Sequence, residues 1–279
     1  MVTGGTPPRP DQMGRLTSKK VGAVSFLNTK PLIYPLLQSP SPDIDLSLDY
    51  PSLLADKLQH GQLDVALIPT IEYFRQPNYR IIPNISISSK GPVGSILLFS
   101  QKPIADCRTV RLDSSSRTSQ ALVKILLGEY FQIYPDFVLC PPTTQPSEHE
   151  TDAVLLIGDQ ALRYRNSVGY ALDLGQIWQD LTDLPFVYAC WVGRSGNDLG
   201  NLPQILDRSK QKGLQQIDQI AQLEAKNLGL PVDLCYRYLT QHIFFDLGEA
   251  EVSGLREFYR LALKYGLAKP DIPISFLSD

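Results

Sequence analysis

The stretch KVGAVSFLNTKPLIYPLLQ (Lys20–Gln38) shows the unit from which the chain is built. KVGAVSF is an apolar run typical of a buried strand, the chain turns at Asn28, and TKPLIYPLLQ follows with a helical pattern. The alternation continues with the strand IDLSLDY, the helix PSLLADKLQHG, which begins on Pro and ends on Gly, and the apolar strand LDVALIP. This order predicts an α/β unit around a mainly parallel sheet.

A second set of elements begins after SQKPIAD (residues 100–106). The patterns predict three strands, TVRLD, DFVLC and DAVLLI, with the helix SQALVKILLGEYF between the first two. A short strand and a helix follow in GYALDLGQIWQDL, and FVYACWVG is the last predicted strand. From Asn201 onward the pattern predicts helices throughout. Two successive α/β units and a helical tail predict two lobes with a ligand cleft between them, because ligands bind beyond the carboxyl ends of such strands.

The composition excludes several classes of protein. With 43% hydrophobic residues and a net charge of −3 over 279 residues, the chain lacks the clustered basic surface that nucleic-acid binding requires. No apolar run approaches the roughly 18 residues of a membrane span. Residues 1–19 are polar, rich in Pro and Gly and without the apolar core of a secretory signal, so we predict a disordered extension and a cytoplasmic protein. Four widely spaced cysteines are predicted to be free thiols: Cys107, Cys140, Cys190 and Cys235.

Two turns of the chain offer neutral polar groups. SFLNTKP places Ser25 and Asn28 at the end of the first strand, where Asn28 either anchors a ligand hydroxyl or carboxylate or caps the next helix. SSKGPVGSILLFS carries Gly91 and Gly94 just before a strand, with Ser95 at its start. Such a turn lets the backbone approach a ligand closely, although an ordinary Gly-Pro turn explains it equally well.

The stretch DSSSRTSQALVKILL (Asp113–Leu127) has more hydroxyls than one helix start needs. A helix N-terminus favours anions through its unpaired N–H groups and its dipole, and the neighbouring hydroxyls add donors: Ser115, Ser116, Thr118 and Ser119. Arg117 either pairs with a ligand carboxylate or points outward to an acidic side chain. The Walker pattern of glycines is absent, so a carboxylate is favoured over a nucleotide phosphate.

Groups suited to acid–base chemistry are few. LLIGDQAL places Gly158 and Asp159 at another strand end, where Asp159 binds a ligand hydroxyl, caps its own helix or connects the lobes; we favour a structural role. Three histidines have no spacing that suits a metal ion, and we predict neither metal nor cofactor: His60, His149 and His242. Glu72, in PTIEYF, is explained by the helix dipole as well as by catalysis.

In combination and in this order, six segments resemble the MqnA family, the chorismate dehydratases of the futalosine route to menaquinone. They are VGAVSFLNTKPL, GQLDVALIPTIEYF, GPVGSILLFS, SSRTSQALVKILL, LLIGDQAL and DLGQIWQDLTDLPFVYACW, which together span residues 21–191. The resemblance implies a two-lobed fold like that of type II periplasmic binding proteins. The expected lobes are residues 20–100 with 193–279, and residues 101–192.

The resemblance also implies the reaction, removal of water from chorismate to give 3-[(1-carboxyvinyl)oxy]benzoate. Asn28 and Ser95 are expected near the reacting centre, and the Ser115–Ser119 stretch is expected to bind the ring carboxylate of this small dicarboxylate. Because no protein base is evident, the enolpyruvyl carboxylate of the substrate is expected to take the proton, with Asn28 orienting it. Ser25, Gly91, Gly158 and Asp159 complete the expected substrate site.

Two other functions remain open at this point. One is a solute-binding protein that closes on a small carboxylate without chemistry, which the absence of a signal peptide opposes. The other is the sister enzyme of the same pathway, 1,4-dihydroxy-6-naphthoate synthase, in which an active-site histidine is expected. None of the three histidines of this chain lies in a matching motif.

Overall fold

The structure, a computed structural model, describes residues 18–142, 151–165 and 169–277. The strands are β1 (Lys19–Ala23), β2 (Ile44–Leu48), β3 (Val65–Pro69), β4 (Tyr79–Ser89), β5 (Ile96–Ser100), β6 (Thr109–Asp113), β7 (Asp136–Cys140), β8 (Ala153–Ile157), β9 (Tyr170–Asp173) and β10 (Phe186–Arg194). The predicted extension over residues 1–19 lies outside the described residues up to residue 17, and β1 already begins at Lys19.

The α-helices alternate with these strands and then form the C-terminal part of the chain. They are α1 (Lys30–Gln38), α2 (Pro51–Gln59), α3 (Thr70–Tyr73), α4 (Arg117–Glu129), α5 (Gly158–Tyr164), α6 (Leu174–Thr182), α7 (Leu202–Leu214), α8 (Ile217–Leu228), α9 (Val232–Arg237) and α10 (Glu249–Lys264). The predicted helix of the opening stretch is α1, and its Pro31 lies in the first turn, where a missing N–H breaks no helical hydrogen bond.

Two five-stranded sheets organise the molecule, one in order β2-β1-β3-β10-β4 and the other in order β7-β6-β8-β5-β9. In each sheet four strands run in one direction, and the strand next to the last runs against them. We call the first sheet with α1–α3 and α7–α10 the first lobe, and the second sheet with α4–α6 the second lobe. The predicted α/β architecture in two lobes is confirmed, with mixed rather than purely parallel sheets.

The chain crosses between the lobes earlier than the predicted boundaries. β5 belongs to the second sheet although residues up to 100 were expected in the first lobe, and β10 belongs to the first sheet although residues up to 192 were expected in the second. Gly91 and Gly94 have φ of +88° and +73°, so the chain turns before β5 and not after it. The first crossing is fixed to the second lobe, because the Asp173 carboxylate, which caps α6, accepts the N–H groups of Val93 (3.0 Å) and Gly94 (2.7 Å).

Uninterrupted apolar runs place the centre of each sheet in the core. β3 (VALIP), β5 (ILLFS) and β8 (AVLLI) are buried along their whole length, as expected for strands covered on both faces. One large core runs through both lobes, and a smaller cluster covers the other face of the second sheet: Leu97, Phe99, Val154, Leu156 and Ala161. The ends of these buried strands therefore provide rigid positions for the loops at the cleft.

The prediction that the C-terminal part is helical throughout is wrong. After α9 the chain makes one π-helical turn (Tyr238–His242) and then becomes extended, and Phe244 pairs with Ser88 on β4 in an antiparallel bridge. Phe276 pairs with Ile81 of the same strand. The free edge of β4 needs partners for its N–H and C=O groups, and these two segments supply them in place of a further helical turn.

Candidate functional site

A cavity lies between the two lobes, where the carboxyl ends of β1, β3 and β8 meet. Its walls are mainly apolar, and its polar side chains are Asn28, Thr29, Ser95, Ser116, Ser119 and Tyr188. Among the described residues that line it there is no Asp, Glu, Lys, Arg or His. The lining thus offers neutral hydrogen-bond donors without a formal charge.

Asn28 and Ser95 form one polar side of this cavity. Asn28 lies in the 3₁₀ turn (Leu27–Thr29) that follows β1, and its Oδ1 accepts a hydrogen bond from the Thr29 hydroxyl at 3.3 Å. Ser95, fully buried at the start of β5, accepts a hydrogen bond on Oγ from the Tyr238 hydroxyl at 2.7 Å. The structure thus brings together the two residues expected near the reacting centre.

The first turn of α4 forms the other polar side. Ser116, at the N-cap position, and Ser119 both line the cavity, and their Oγ atoms are 2.8 Å apart. The N–H groups at the start of a helix lack intrahelical partners and mark the positive end of its dipole. These two hydroxyls therefore lie where an anionic group of a ligand is favoured, as expected for the carboxylate site.

Arg117 and Thr118 point away from the cavity and bind the first lobe. The guanidinium of Arg117 donates to both carboxylate oxygens of Asp56 on α2, at 2.8 and 2.9 Å, and lies 3.3 Å from Glu72 on α3. Thr118 Oγ1 accepts the N–H of Ile71 at 3.1 Å. Of the two orientations considered for Arg117, the structure shows the one toward acidic side chains, because α2 and α3 present two carboxylates to it.

Ser115 and Asp159 likewise contribute to contacts between the lobes. The Ser115 carbonyl accepts the N–H of Ser52 at 3.2 Å, while its hydroxyl donates to the buried carboxylate of Asp113 at 2.5 Å. Asp159 accepts the N–H of Leu27 at 2.9 Å. Burial raises the pKa of Asp159. We call the bonds made by Arg117, Thr118, Ser115 and Asp159 to the first lobe the interlobe contacts.

Of the remaining residues expected at the substrate site, one lines the cavity and the others do not. Gly158 lines the cavity with φ of +58°, and a Cβ there would lie 3.1 Å from the Phe26 ring, so the glycine lets the lobes approach each other. Ser25 is exposed, and Gly91 lies in the first crossing; neither is among the lining residues. Asp159 also lies outside the lining.

The histidines lie outside the cavity or outside the described residues. His60 Nδ1 bonds the carbonyl of Asp56 at 2.7 Å, and His242 Nδ1 donates to the carbonyl of Pro92 at 2.9 Å. His149 lies outside the described residues. Over residues 18–142, 151–165 and 169–277, no group of three His, Cys, Asp or Glu side chains has an arrangement suited to a metal ion.

Sequence reasoning missed two polar side chains of this region. Tyr188 lines the cavity from the middle of β10, and its hydroxyl lies 2.8 Å from Ser89 Oγ. Tyr238 reaches Ser95 from the C-terminal part of the chain. The apolar strand pattern of FVYACWVG conceals Tyr188, and Tyr238 is 143 residues from its partner, a separation that no local pattern indicates.

Comparison with known sequences places the chain in a biosynthetic family. A family model described as menaquinone biosynthesis matches residues 19–264. A chorismate dehydratase of Thermus thermophilus is 29% identical over 233 residues, which are 75% of this chain and 83% of that protein. A chorismate dehydratase of Campylobacter jejuni is 26% identical over 253 residues, 88% of this chain and 99% of that protein. The predicted family and the prediction of an enzyme are confirmed.

Comparison with solved structures supports the fold. Protein AF1704 of Archaeoglobus fulgidus superposes with a TM-score of 0.75 over 90% of this chain and 98% of its own, at 16% identity. The periplasmic aliphatic sulphonate binding protein SsuA of Escherichia coli gives a TM-score of 0.64 over 94% of each chain, also at 16% identity. At such identities the likeness establishes the fold alone, and it confirms a periplasmic-binding-protein-like architecture.

The family match covers the whole part of the chain that forms the cleft. Within the described part of the chain, no helix is both long and apolar enough to cross a bilayer. The family model extends from the first residue of β1 to the last residue of α10, and so includes both lobes and every polar side chain of the cavity. The chain belongs to the menaquinone biosynthesis family.

Proposed function

We propose that the chain removes water from chorismate to give 3-[(1-carboxyvinyl)oxy]benzoate, the first step of the futalosine route to menaquinone, in the cytoplasm. The observation that carries this proposal is the uncharged cavity between the lobes, with hydroxyls on one side and an amide on the other. Such a lining suits a substrate with two carboxylates whose chemistry needs oriented donors more than a strong base. The names of both curated relatives support the same reaction.

The ring carboxylate of chorismate is assigned to the first turn of α4. Ser116 and Ser119 would donate to it, together with the N–H groups at the start of the helix. Removing the proton from the ring carbon that bears the ether moves the electron pair into an extended enolate that ends at this carboxylate. Donors that are already in place stabilise that charge as it develops, as an oxyanion hole does.

The enolpyruvyl side chain is assigned to the Asn28 side of the cavity. An amide is not a base at neutral pH, so Asn28 would orient the side chain, and the substrate's own carboxylate would take the proton. The hydroxyl on the neighbouring ring carbon then leaves with its bonding electrons and acquires one proton, which balances the proton that the enolpyruvyl carboxylate has taken, so that water and an aromatic ring result. Ser95, which lines the cavity, would donate to this departing hydroxyl. No electrons are gained or lost, so the step needs no redox cofactor.

The interlobe contacts close the cavity around the substrate. Arg117 and Asp159 connect the lobes at separate places, through α2 in one case and through the turn after β1 in the other. A closed cleft excludes water, which strengthens the hydrogen bonds made to the enolate. We therefore assign Arg117, Thr118 and Asp159 to closure and not to direct substrate binding.

The test is to incubate the purified protein with chorismate and to follow the products by mass spectrometry. Loss of one water, with appearance of an aromatic spectrum in the ultraviolet, is the expected result. Tight binding of intact chorismate would favour a solute-binding protein, the function of SsuA with its similar fold. Conversion of the substrate of 1,4-dihydroxy-6-naphthoate synthase instead of chorismate would favour the sister enzyme.

A further inference from the structure

Tyr238 lies behind the cavity, in the π-helical turn (Tyr238–His242) that follows α9. Short π-helical segments occur frequently at functional sites, because the widened turn displaces one side chain from the regular helical pattern. Here the turn is fixed to the first crossing, since His242 Nδ1 donates to the carbonyl of Pro92 at 2.9 Å. Tyr238 itself is 1% exposed, so its hydroxyl has a buried and defined environment.

The hydrogen bond to Ser95 has a defined direction. The Tyr238 hydroxyl donates to Ser95 Oγ at 2.7 Å, so this oxygen is the acceptor and the Ser95 proton is left to bond elsewhere. Ser95 is fully buried and lines the cavity. A ligand bound in the cavity would therefore accept the hydrogen bond from the Ser95 hydroxyl. A free serine hydroxyl can either donate or accept a hydrogen bond. The bond from Tyr238 thus leaves Ser95 to act as a donor toward the cavity.

Asn28 interacts with the same phenol oxygen. Its side chain lowers the pKa of Tyr238, whereas burial has the larger effect and raises that pKa above its ordinary value. Tyr238 is therefore protonated and able to donate at neutral pH. The phenol therefore interacts with both residues that we place at the reacting centre, one from each of two separate turns of the cleft.

We propose that Tyr238 is a positioning residue, whose phenol orients the Ser95 hydroxyl as a donor into the cavity and fixes its place relative to Asn28. The inference rests on the proposed function, since it gives Ser95 its task in the departure of the substrate hydroxyl. It adds a residue of the C-terminal part of the chain to a site otherwise built by the two sheets and the helices that follow their strands.

The test compares Tyr238→Phe with Tyr73→Phe. Tyr73 is a matched control because it is also 1% exposed, and its hydroxyl donates to the carbonyl of Pro273 at 2.7 Å, outside the cavity. We expect Tyr238→Phe to lower kcat for chorismate dehydration about 10- to 100-fold, with KM changed less than about threefold, because orientation is lost while the cavity keeps its shape. Tyr73→Phe should retain the wild-type kcat.

A double variant shows whether Tyr238 acts through Ser95. If it does, Tyr238→Phe added to Ser95→Ala lowers kcat no further, because the hydroxyl to be oriented is already gone. Equal losses from Tyr238→Phe in the presence and absence of Ser95 would overturn the inference, as would a wild-type kcat for Tyr238→Phe. A wild-type protein that leaves chorismate intact would instead refute the proposed function, and this inference with it.

A second measurement covers the case in which Tyr238→Phe does not fold. Incorporation of 3-fluorotyrosine at position 238 keeps the ring and the hydroxyl, and its ¹⁹F resonance reports on the bond to Ser95. The resonance should shift when the dehydration product binds, because Ser95 then bonds to the ligand. An unchanged resonance at saturating product would contradict the assignment.

Discussion

The two polar sides of the cleft use hydrogen bonds differently. Around Asn28 and Ser95 the partners are the neutral hydroxyls of Thr29 and Tyr238, so neither side chain is held in an ion pair. In the first turn of α4 the side chains divide, with Ser116 and Ser119 toward the cavity and Arg117 toward Asp56 and Glu72. The difference explains how a site for an anion lacks a formal positive charge, since the nearby guanidinium neutralises carboxylates of the other lobe.

Replacing Asn28 by Ala should have the largest effect on catalysis. Without the amide the enolpyruvyl group is no longer oriented, and we expect kcat to fall about 100-fold or more, while the affinity for product changes little. Steady-state kinetics with product-inhibition constants provide the measurement. Asn78→Ala, a change at an exposed residue that does not line the cavity, is the control. A kcat near that of the wild type would refute the orienting role and make the two sides of the cleft equivalent.

Replacing Arg117 by Ala should act on closure and not on chemistry. The bidentate bond to Asp56 is lost, so the closed form is less populated, and KM should rise about 10-fold with a smaller change in kcat. Small-angle X-ray scattering of the unliganded variant should show a larger radius of gyration. Arg260→Ala removes a similar bond, to Glu257 within α10, and should leave KM unchanged. A fall in kcat alone would place Arg117 at the substrate after all.

Removing the two serine hydroxyls should have a smaller effect. Ser116→Ala/Ser119→Ala takes away two hydroxyl donors, each worth about 0.5 kcal/mol, because the N–H groups and the dipole of α4 remain. We expect KM to rise roughly 3- to 10-fold, with no change in the radius of gyration. A scattering change like that of Arg117→Ala would show that these serines also belong to the interlobe contacts, and the division of the first turn would then be wrong.

Patterns of neighbouring residues predicted most of the fold. They also predicted the hydroxyls in the first turn of α4, but not which side chains of that turn face the cavity and which face the other lobe. The apolar runs of β3, β5 and β8 and the hydroxyls before α4 are visible locally, because burial and helix capping act over a few residues. The orientation of Arg117 depends on Asp56, 61 residues away, so both orientations were open. The boundaries of the lobes were misplaced because sheet membership depends on which strands pair, and an antiparallel crossing strand has the same apolar pattern as its neighbours.

The smallest expected effect is a change in thermal stability, on replacing Asp159 by Asn. Burial raises the pKa of Asp159 above its unfolded value near 3.8, so the ionised form is less favourable in the folded protein. The resulting loss of stability is complete above the folded pKa and disappears as the pH falls toward the unfolded pKa. Asp159→Asn, whose amide oxygen still accepts from Leu27, should therefore raise the Tm at pH 8 by an amount that declines in acid.

Asp152 provides the opposite case within the same lobe. Its pKa is lowered to about 2 by Lys102 and by the backbone N–H groups of Arg108 and Thr109, so its ionised form stabilises the fold. Asp152→Asn should lower the Tm at pH 7, and the difference should vanish as the pH falls from about 4 to about 2. Thermal unfolding from pH 2 to pH 8 tests both signs at once. The opposite outcome is an Asp159→Asn protein with a lower Tm than the wild type at pH 8. The hydrogen bond from Leu27 to the ionised carboxylate would then contribute more free energy than burial of the charge costs. In that case the interlobe contact at Asp159 would stabilise the closed form through its charge.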